Sequence, residues 1–143
     1  MATVSTYLNF SRETEKAFNF YKEVFGTEFI EGIHRYGDMP TTEDMAPVSE
    51  EDKDLIMNIT LPIIGGHLLM GTDAPESMGF HLNKGNNVHV SLHLDTKEET
   101  RKYFNTLTEG GKVNMDLAEM FWGEYYGSCT DKFGIQWMFH CPN

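Results

Sequence analysis

The sequence predicts an α+β fold in which two βαβββ modules form a cup-shaped, eight-stranded mixed sheet with a helix behind each half. Three observations predict it. The order strand–helix–strand–strand–strand can be read twice along the 143 residues. The two readings superpose, because Leu94 lies 84 positions after Phe10 in the strands and Phe104 lies 83 after Tyr21 in the helices. Gly66-x-x-x-Met70 in the first half also matches Gly134-x-x-x-Met138 in the second, each just after a turn. A period this long indicates duplication of a supersecondary unit, not a solenoid. The length suits one domain with a real core. The expected layout is therefore a single domain, 1–143, with modules at 3–75 and 86–142.

Each element has a local reason. VSTYLNF, from Val4 to Phe10, alternates with period two and reads as a strand. SRETEKAFNFYKEVFG follows as a helix, with Ser11 as its expected N-cap, Glu residues in the first turn and Gly26 at its end. Ala17, Phe18, Phe20, Tyr21, Val24 and Phe25 give that helix a broad apolar face. TEFIEGIHRY reads as the next strand. Residues 37–53 are acidic, proline-containing and aperiodic, so they are expected to form an exposed loop or flap. Its SEEDKD run reads as solvated; it lacks the alternating carboxylates and central glycine of a calcium loop. LIMNITLPIIGG and HLLMGTD read as a hairpin turning at Gly65-Gly66.

After APESMGFHLNKGNN the order restarts. VHVSLHLD puts Val88, Val90, Leu92 and Leu94 on one face of a strand and His89, Ser91, His93 and Asp95 on the other. TKEETRKYFNTLTEGG reads as a helix capped by Thr96 and stopped at Gly110-Gly111. KVNMDLAEMFWG, EYYGSCTD and IQWMFHCP complete the second set of strands.

Charge excludes some partners. With 11 basic against 22 acidic residues the formal charge is -11, which repels polyanions. Nucleic acid and anionic membrane surfaces are therefore not expected partners. No apolar run approaches the about 20 residues that span a bilayer, and no basic segment followed by an apolar stretch opens the chain. Two cysteines, Cys129 and Cys141, make no disulfide framework, so a cytoplasmic protein is expected.

The duplicated order, with AFNFYKEVFGTEF after the first strand and YYGSCTDKFGIQWMF near the end, resembles the vicinal oxygen chelate superfamily. That is the glyoxalase, extradiol dioxygenase and bleomycin-resistance group. YLNF, FYKEVFG, LLMGTDAP, EGGKVNMDL and WGEYYGSCTDKFGIQW look like its PhnB-like branch. The resemblance implies the glyoxalase/bleomycin-resistance fold and a cup that often binds a divalent metal, with one ligand from each of the first, fourth, fifth and eighth strands. It also implies pairing of two modules, within one chain or between chains, commonly in a homodimer. Some PhnB-like sequences carry a ubiquinone-methyltransferase label. This chain has no Gly-rich strand-to-helix loop suited to a methyl-donor nucleotide, so the label is set aside.

Carried onto this chain, the fifth-strand ligand position falls on His89, and the eighth falls on Met138, where the family normally has Glu. The internal repeat puts the fourth on Met70, and the two offsets put the first on Ser5 or Thr6. Zinc, nickel, manganese and iron sites need imidazole, carboxylate or thiolate ligands, usually three or four. One imidazole, two thioethers and a hydroxyl are not such a set, and His89 is the one plausible ligand at a family position. No metal and no cofactor are therefore expected. The expected function is binding of a small molecule, of unknown identity, in a metal-free cup lined by Ser5, Tyr7, Asn9, Met70, His89, Ser91, His93, Gln136, Met138 and His140. His140 shares the Gln136–Met138 face and could meet His89 across the cup, while His93 and Asp95 either line it or reach solvent. Tyr125 or Tyr126 could join the lining; Trp137, on the opposite face, belongs in the core beneath a helix. The alternative function is a metal-dependent lyase, isomerase or dioxygenase, with a divalent metal as cofactor and His89 as ligand or general base. No catalytic residue is assigned.

Overall fold

A computed structural model of the protein describes residues 1–40 and 47–143; residues 41–46, within the acidic 37–53 stretch, lie outside the described residues. Its elements are β1 (Thr6–Phe10), α1 (Thr14–Phe25), β2 (Ile30–Arg35), β3 (Ile56–Pro62), β4 (Leu68–Asp73), β5 (Val90–His93), α2 (Lys97–Thr108), β6 (Lys112–Glu119), β7 (Glu124–Thr130) and β8 (Gln136–Pro142). The chain divides into two compact units, Met1–Leu82 and Asn83–Asn143, each holding one βαβββ module. The eight strands fall into two four-stranded mixed sheets, ordered β1-β4-β3-β2 and β5-β8-β7-β6. In each sheet the first pair is parallel and the other pairs are antiparallel. The expected α+β duplication holds to the residue: Thr6 and Val90, which open the first strands, are 84 apart, and Thr14 and Lys97, which open the helices, are 83 apart.

In the first unit, α1 buries Thr14, Ala17, Phe18, Tyr21 and Val24, the three-and-four spacing of one helix face. It packs on the sheet face where Leu8, Gly71 and Ile59 are paired across β1, β4 and β3. Gly71 is required there by contact. A Cβ at that position would lie 2.5 Å from Phe18 Cε1, so the ring occupies the missing side chain's place. Fully burying such a ring contributes about 1.5–3 kcal/mol. Ser11 does not cap the helix. The Thr14 N–H donates instead to Oδ1 of buried Asp73 at 3.1 Å, and the other carboxylate oxygen accepts the Ile56 N–H at 2.8 Å. A carboxylate at the end of β4 thus ties the helix start to the start of β3.

The described part of the 37–53 stretch departs from a solvated loop at one residue. Asp52 is only 2% exposed. It accepts Ser77 Oγ at 2.6 Å and Arg12 Nη1 at 2.9 Å, which latches the end of the loop to the segments following β1 and β4. The Ser77 hydroxyl first, and the Arg12 guanidinium with it, hold its carboxyl below the usual carboxylate range.

In the second unit, Thr96 caps α2 as expected, its hydroxyl accepting the Glu99 N–H at 3.1 Å. Phe104 meets Phe139 edge-on at 5.2 Å, and Leu92, Leu94, Trp137 and Cys141 are also buried. Trp137 lies in the core, where the alternation puts it. Its indole N–H donates to Asp131 Oδ2 at 2.9 Å, while Asp131 Oδ1 accepts the N–H groups of Phe133 and Ile135 at 2.8 and 3.0 Å. The TDKFGIQW segment is therefore a turn knotted around one buried carboxylate.

Two strand boundaries differ from the alternation. Val88 is 73% exposed and precedes β5, because β5 finds ladder partners on β8 only from Val90 onward. Met120, Phe121 and Trp122 continue an apolar pattern but form the β6–β7 turn, closed by Gly123 N–H to Met120 O at 3.1 Å with Gly123 at φ 95°.

Candidate functional site

The free faces of the two sheets, those turned from the helices, carry the candidate residues. In the first unit the parity of β1 puts Leu8 and Phe10 under α1 and leaves Tyr7 and Asn9 exposed on the other face. Tyr7 pairs with Met70 in the parallel register. Ser5, just ahead of β1, donates its hydroxyl to Met70 Sδ at 3.4 Å. Thr6, the other residue at the first-strand family position, has its hydroxyl 2.8 Å from His67 Nε2. Both candidate hydroxyls in this unit are already partnered.

In the second unit the register makes two cross-strand rows. Ser91, Met138 and Ser128 are aligned across β5, β8 and β7, and His93, His140 and Tyr126 are aligned one step further along. The His93 and His140 rings stack with centroids 4.6 Å apart and planes 8° from parallel. Tyr126 lies on the other side of His140, at 5.1 Å between centroids. His140 Nδ1 is 2.9 Å from Glu124 Oε2. An ionised carboxylate only accepts, so Nδ1 carries the proton, and in the neutral imidazole Nε2 is left as an acceptor. Ser91 Oγ and His93 Nε2 are 3.3 Å apart. The two histidines and Glu124 border an open cavity of about 330 Å³, whose lining is completed by Leu94, Asp95, Gly123, Cys141 and Pro142.

His140 therefore meets His93 and not His89. The parallel pairing of β5 with β8 sets 93 opposite 140, and His89 lies exposed before the strand begins. Gln136 is 8% exposed and its amide donates to the Val88 carbonyl at 3.1 Å, which secures the entry to β5. Met138 is half-buried between two serines. Glu124 was missed by the sequence reading. The signal was present, since Glu124 has the parity of Tyr126 in EYYGSCTD and so shares its face.

The side chains at the four family positions are not a set of imidazole, carboxylate or thiolate ligands. At the family positions stand a serine bonded to a thioether, a second thioether between hydroxyls, and an exposed imidazole. Among the described residues no three His, Cys, Asp or Glu side chains come together as a group that could hold a metal ion. Both cysteines are buried and free, and burial pushes the Cys129 thiol up to about 11. No helix among the described residues is long and apolar enough to cross a membrane.

Comparison with known proteins places this frame. Protein YjdN of Escherichia coli is 30% identical over 142 residues, covering 94% of this chain and 92% of YjdN. The crystal structure of PA1353 from Pseudomonas aeruginosa superposes with a TM-score of 0.83 at 32% identity, over 99% of this chain and 98% of that one. The PhnB protein from Bacillus cereus shares the fold, with a TM-score of 0.74 at 22% identity over 98% of this chain and 99% of that one. The family model described as Glyoxalase/Bleomycin resistance protein/Dioxygenase superfamily matches residues 4–139, nearly the whole span in which the repeat was read. A duplicated βαβββ frame and a match that runs through both of its copies lead to one conclusion: this chain belongs to the glyoxalase/bleomycin resistance protein/dioxygenase superfamily.

Proposed function

We propose that the chain binds a small molecule on the polar faces of its modules without using a divalent metal. The observation that carries this reading is the Ser5–Met70 contact at 3.4 Å. It fills two of the four family ligand positions with a hydroxyl and a thioether that satisfy each other. With Met138 and His89 at the remaining two, one imidazole stands where zinc, nickel, manganese or iron would need three or four ligands. The cavity beside His93, Glu124 and His140 supports the binding half of the reading, since small-molecule sites combine apolar wall with a few convergent polar groups.

Elemental analysis of protein prepared without a polyhistidine tag, joined to equilibrium binding against a metabolite and antibiotic panel, tests it. Metal well below one ion per chain and saturable binding of a panel member are expected. Stoichiometric nickel, zinc or manganese that disappears in His89→Ala would overturn it and make the chain a metal-dependent lyase, isomerase or dioxygenase. The reading includes a homodimer, which the exposed Val113, Met115, Phe121 and Trp122 on β6 and its turn support. Light scattering on the eluting protein measures that directly. A cytoplasmic location is in keeping with two free thiols, and fractionation of expressing cells checks it.

A further inference from the structure

We infer that the cavity of the second unit takes a small organic cation: an ammonium N–H donor on a short apolar body. The inference rests on the small-molecule reading above and adds the location, the charge and the hydrogen-bonding sense of the ligand.

The polar inventory of the cavity is lopsided. Glu124 spends one carboxylate oxygen on His140 Nδ1 and keeps acceptor capacity on the other. Asp95, which also lines the cavity, makes no hydrogen bond or ion pair with any described residue. In the neutral imidazole, His140 Nε2 is an acceptor once Nδ1 holds the proton. His93 offers one ring nitrogen to Ser91 and retains the other. Acceptors outnumber donors, so a ligand satisfies this lining by donating.

Charge points the same way. Two carboxylates and two imidazoles line the cavity, and its lining includes no lysine or arginine. The net charge of -11 adds a field that draws cations and repels anions. A charge-assisted N–H to carboxylate bond is about twice as strong as a neutral one. Size is the third constraint: 330 Å³ is near the lower end of the roughly 300–1,000 Å³ of ligand cavities. Leu94 and Pro142 supply the apolar surface for the body of the ligand. The acceptors are also held in place beforehand, because His140 has a ring neighbour on each side and a carboxylate on Nδ1. Little ordering cost then falls on binding.

Three probes of one shape and different charge test the inference: benzylammonium, benzyl alcohol and benzoate, each titrated against the full chain. Isothermal titration reads affinity, and the ring C–H resonances of His93 and His140 report the location. Benzylammonium is expected to shift both histidine signals saturably, with benzyl alcohol weaker and benzoate without effect. Glu124→Gln, which keeps an acceptor for His140 while removing the charge, is expected to weaken benzylammonium binding about tenfold. Asp95→Asn acts in the same direction, and circular dichroism verifies that both variants are folded. Undiminished affinity in both folded variants would overturn the inference. Benzyl alcohol or benzoate binding at these rings as tightly as benzylammonium would overturn the cation assignment while leaving small-molecule binding in place. Histidine signals that none of the three probes moves would overturn this cavity as the site, and the metabolite panel alone would then decide the wider reading.

Discussion

Gly71 on β4 and Phe139 on β8 occupy matching places in the two units, for they stand 68 positions apart, as Gly66 and Gly134 do. In the first unit the strand is bare at that place and the helix supplies the bulk, Phe18, which closes onto the glycine. In the second the strand supplies the bulk, and Phe104 of α2 meets it edge-on at 5.2 Å. The buried carboxylates diverge as well. Asp73 joins α1 to β3, whereas Asp131 organises the turn between β7 and β8. On the free faces, Ser5 and Met70 satisfy each other, while His93, His140 and Glu124 leave acceptors open to a cavity. The backbone frame is what the duplication repeats. Which side of an interface carries volume, and where polar groups remain unspent, is set residue by residue within it.

The strongest way to break this comparison is to exchange where the volume sits. Phe139→Ala is expected to cost about 3–5 kcal/mol, the range for emptying a buried aromatic position. Gly71→Ala, at the matching place, fails in the opposite sense, by overpacking against the fully buried Phe18, at about 1–3 kcal/mol. Urea unfolding of both variants measures the pair, and equal costs would show that the two packings are equivalent after all. Asp131→Ala strands three donors, two buried and one part-buried, and Asp73→Ala strands two buried ones, so the first should cost more, roughly 3–5 against 2–4 kcal/mol. The same titrations rank them, and a reversed order would refute the reading of these carboxylates as structural hubs of unequal weight.

A smaller effect separates the units by pH. The Asp52 carboxyl is held below its ordinary range by Ser77 and Arg12, so it contributes stability above the unfolded value of about 3.9 and loses it as pH falls through the folded value. Glu15 follows the same sign, its carboxyl lowered chiefly by its hydrogen bonds from Arg35. Thermal midpoints of the parent and Asp52→Asn should therefore differ at neutral pH and converge in acid; a constant gap would remove the latch from the account. The smallest expected effect is that of Glu124→Gln on stability, within about 0.5 kcal/mol, because a half-exposed pair contributes little. A larger loss in the urea midpoint would mean that Glu124 supports the sheet as well as the cavity.

Much of the frame was legible because it is local. Alternation marked the strands, Thr96 marked a helix start, and Gly65-Gly66 marked the hairpin, whose turn has φ of 64° and 78°. The failures share a cause. Ser11 looked like a cap, but the cap is Asp73, 59 residues later in sequence than Thr14. Met120 to Trp122 looked like strand until Gly123 closed the turn. Asp52 looked solvated in its acidic run, and it is buried against Arg12 and Ser77. His140 was assigned a possible meeting with His89, and its partner is His93.

The sequence by itself determined the doubled βαβββ order, the residue spacing between its copies and the scarcity of ligand-type side chains at the four family positions. All three are properties of side-chain identity and short-range period. The tertiary structure alone decided which imidazoles meet, which carboxylate orients one of them and which carboxylates are buried. Those outcomes depend on the register between β5, β8 and β7, and a period-two pattern is unchanged when one strand slides two residues along another.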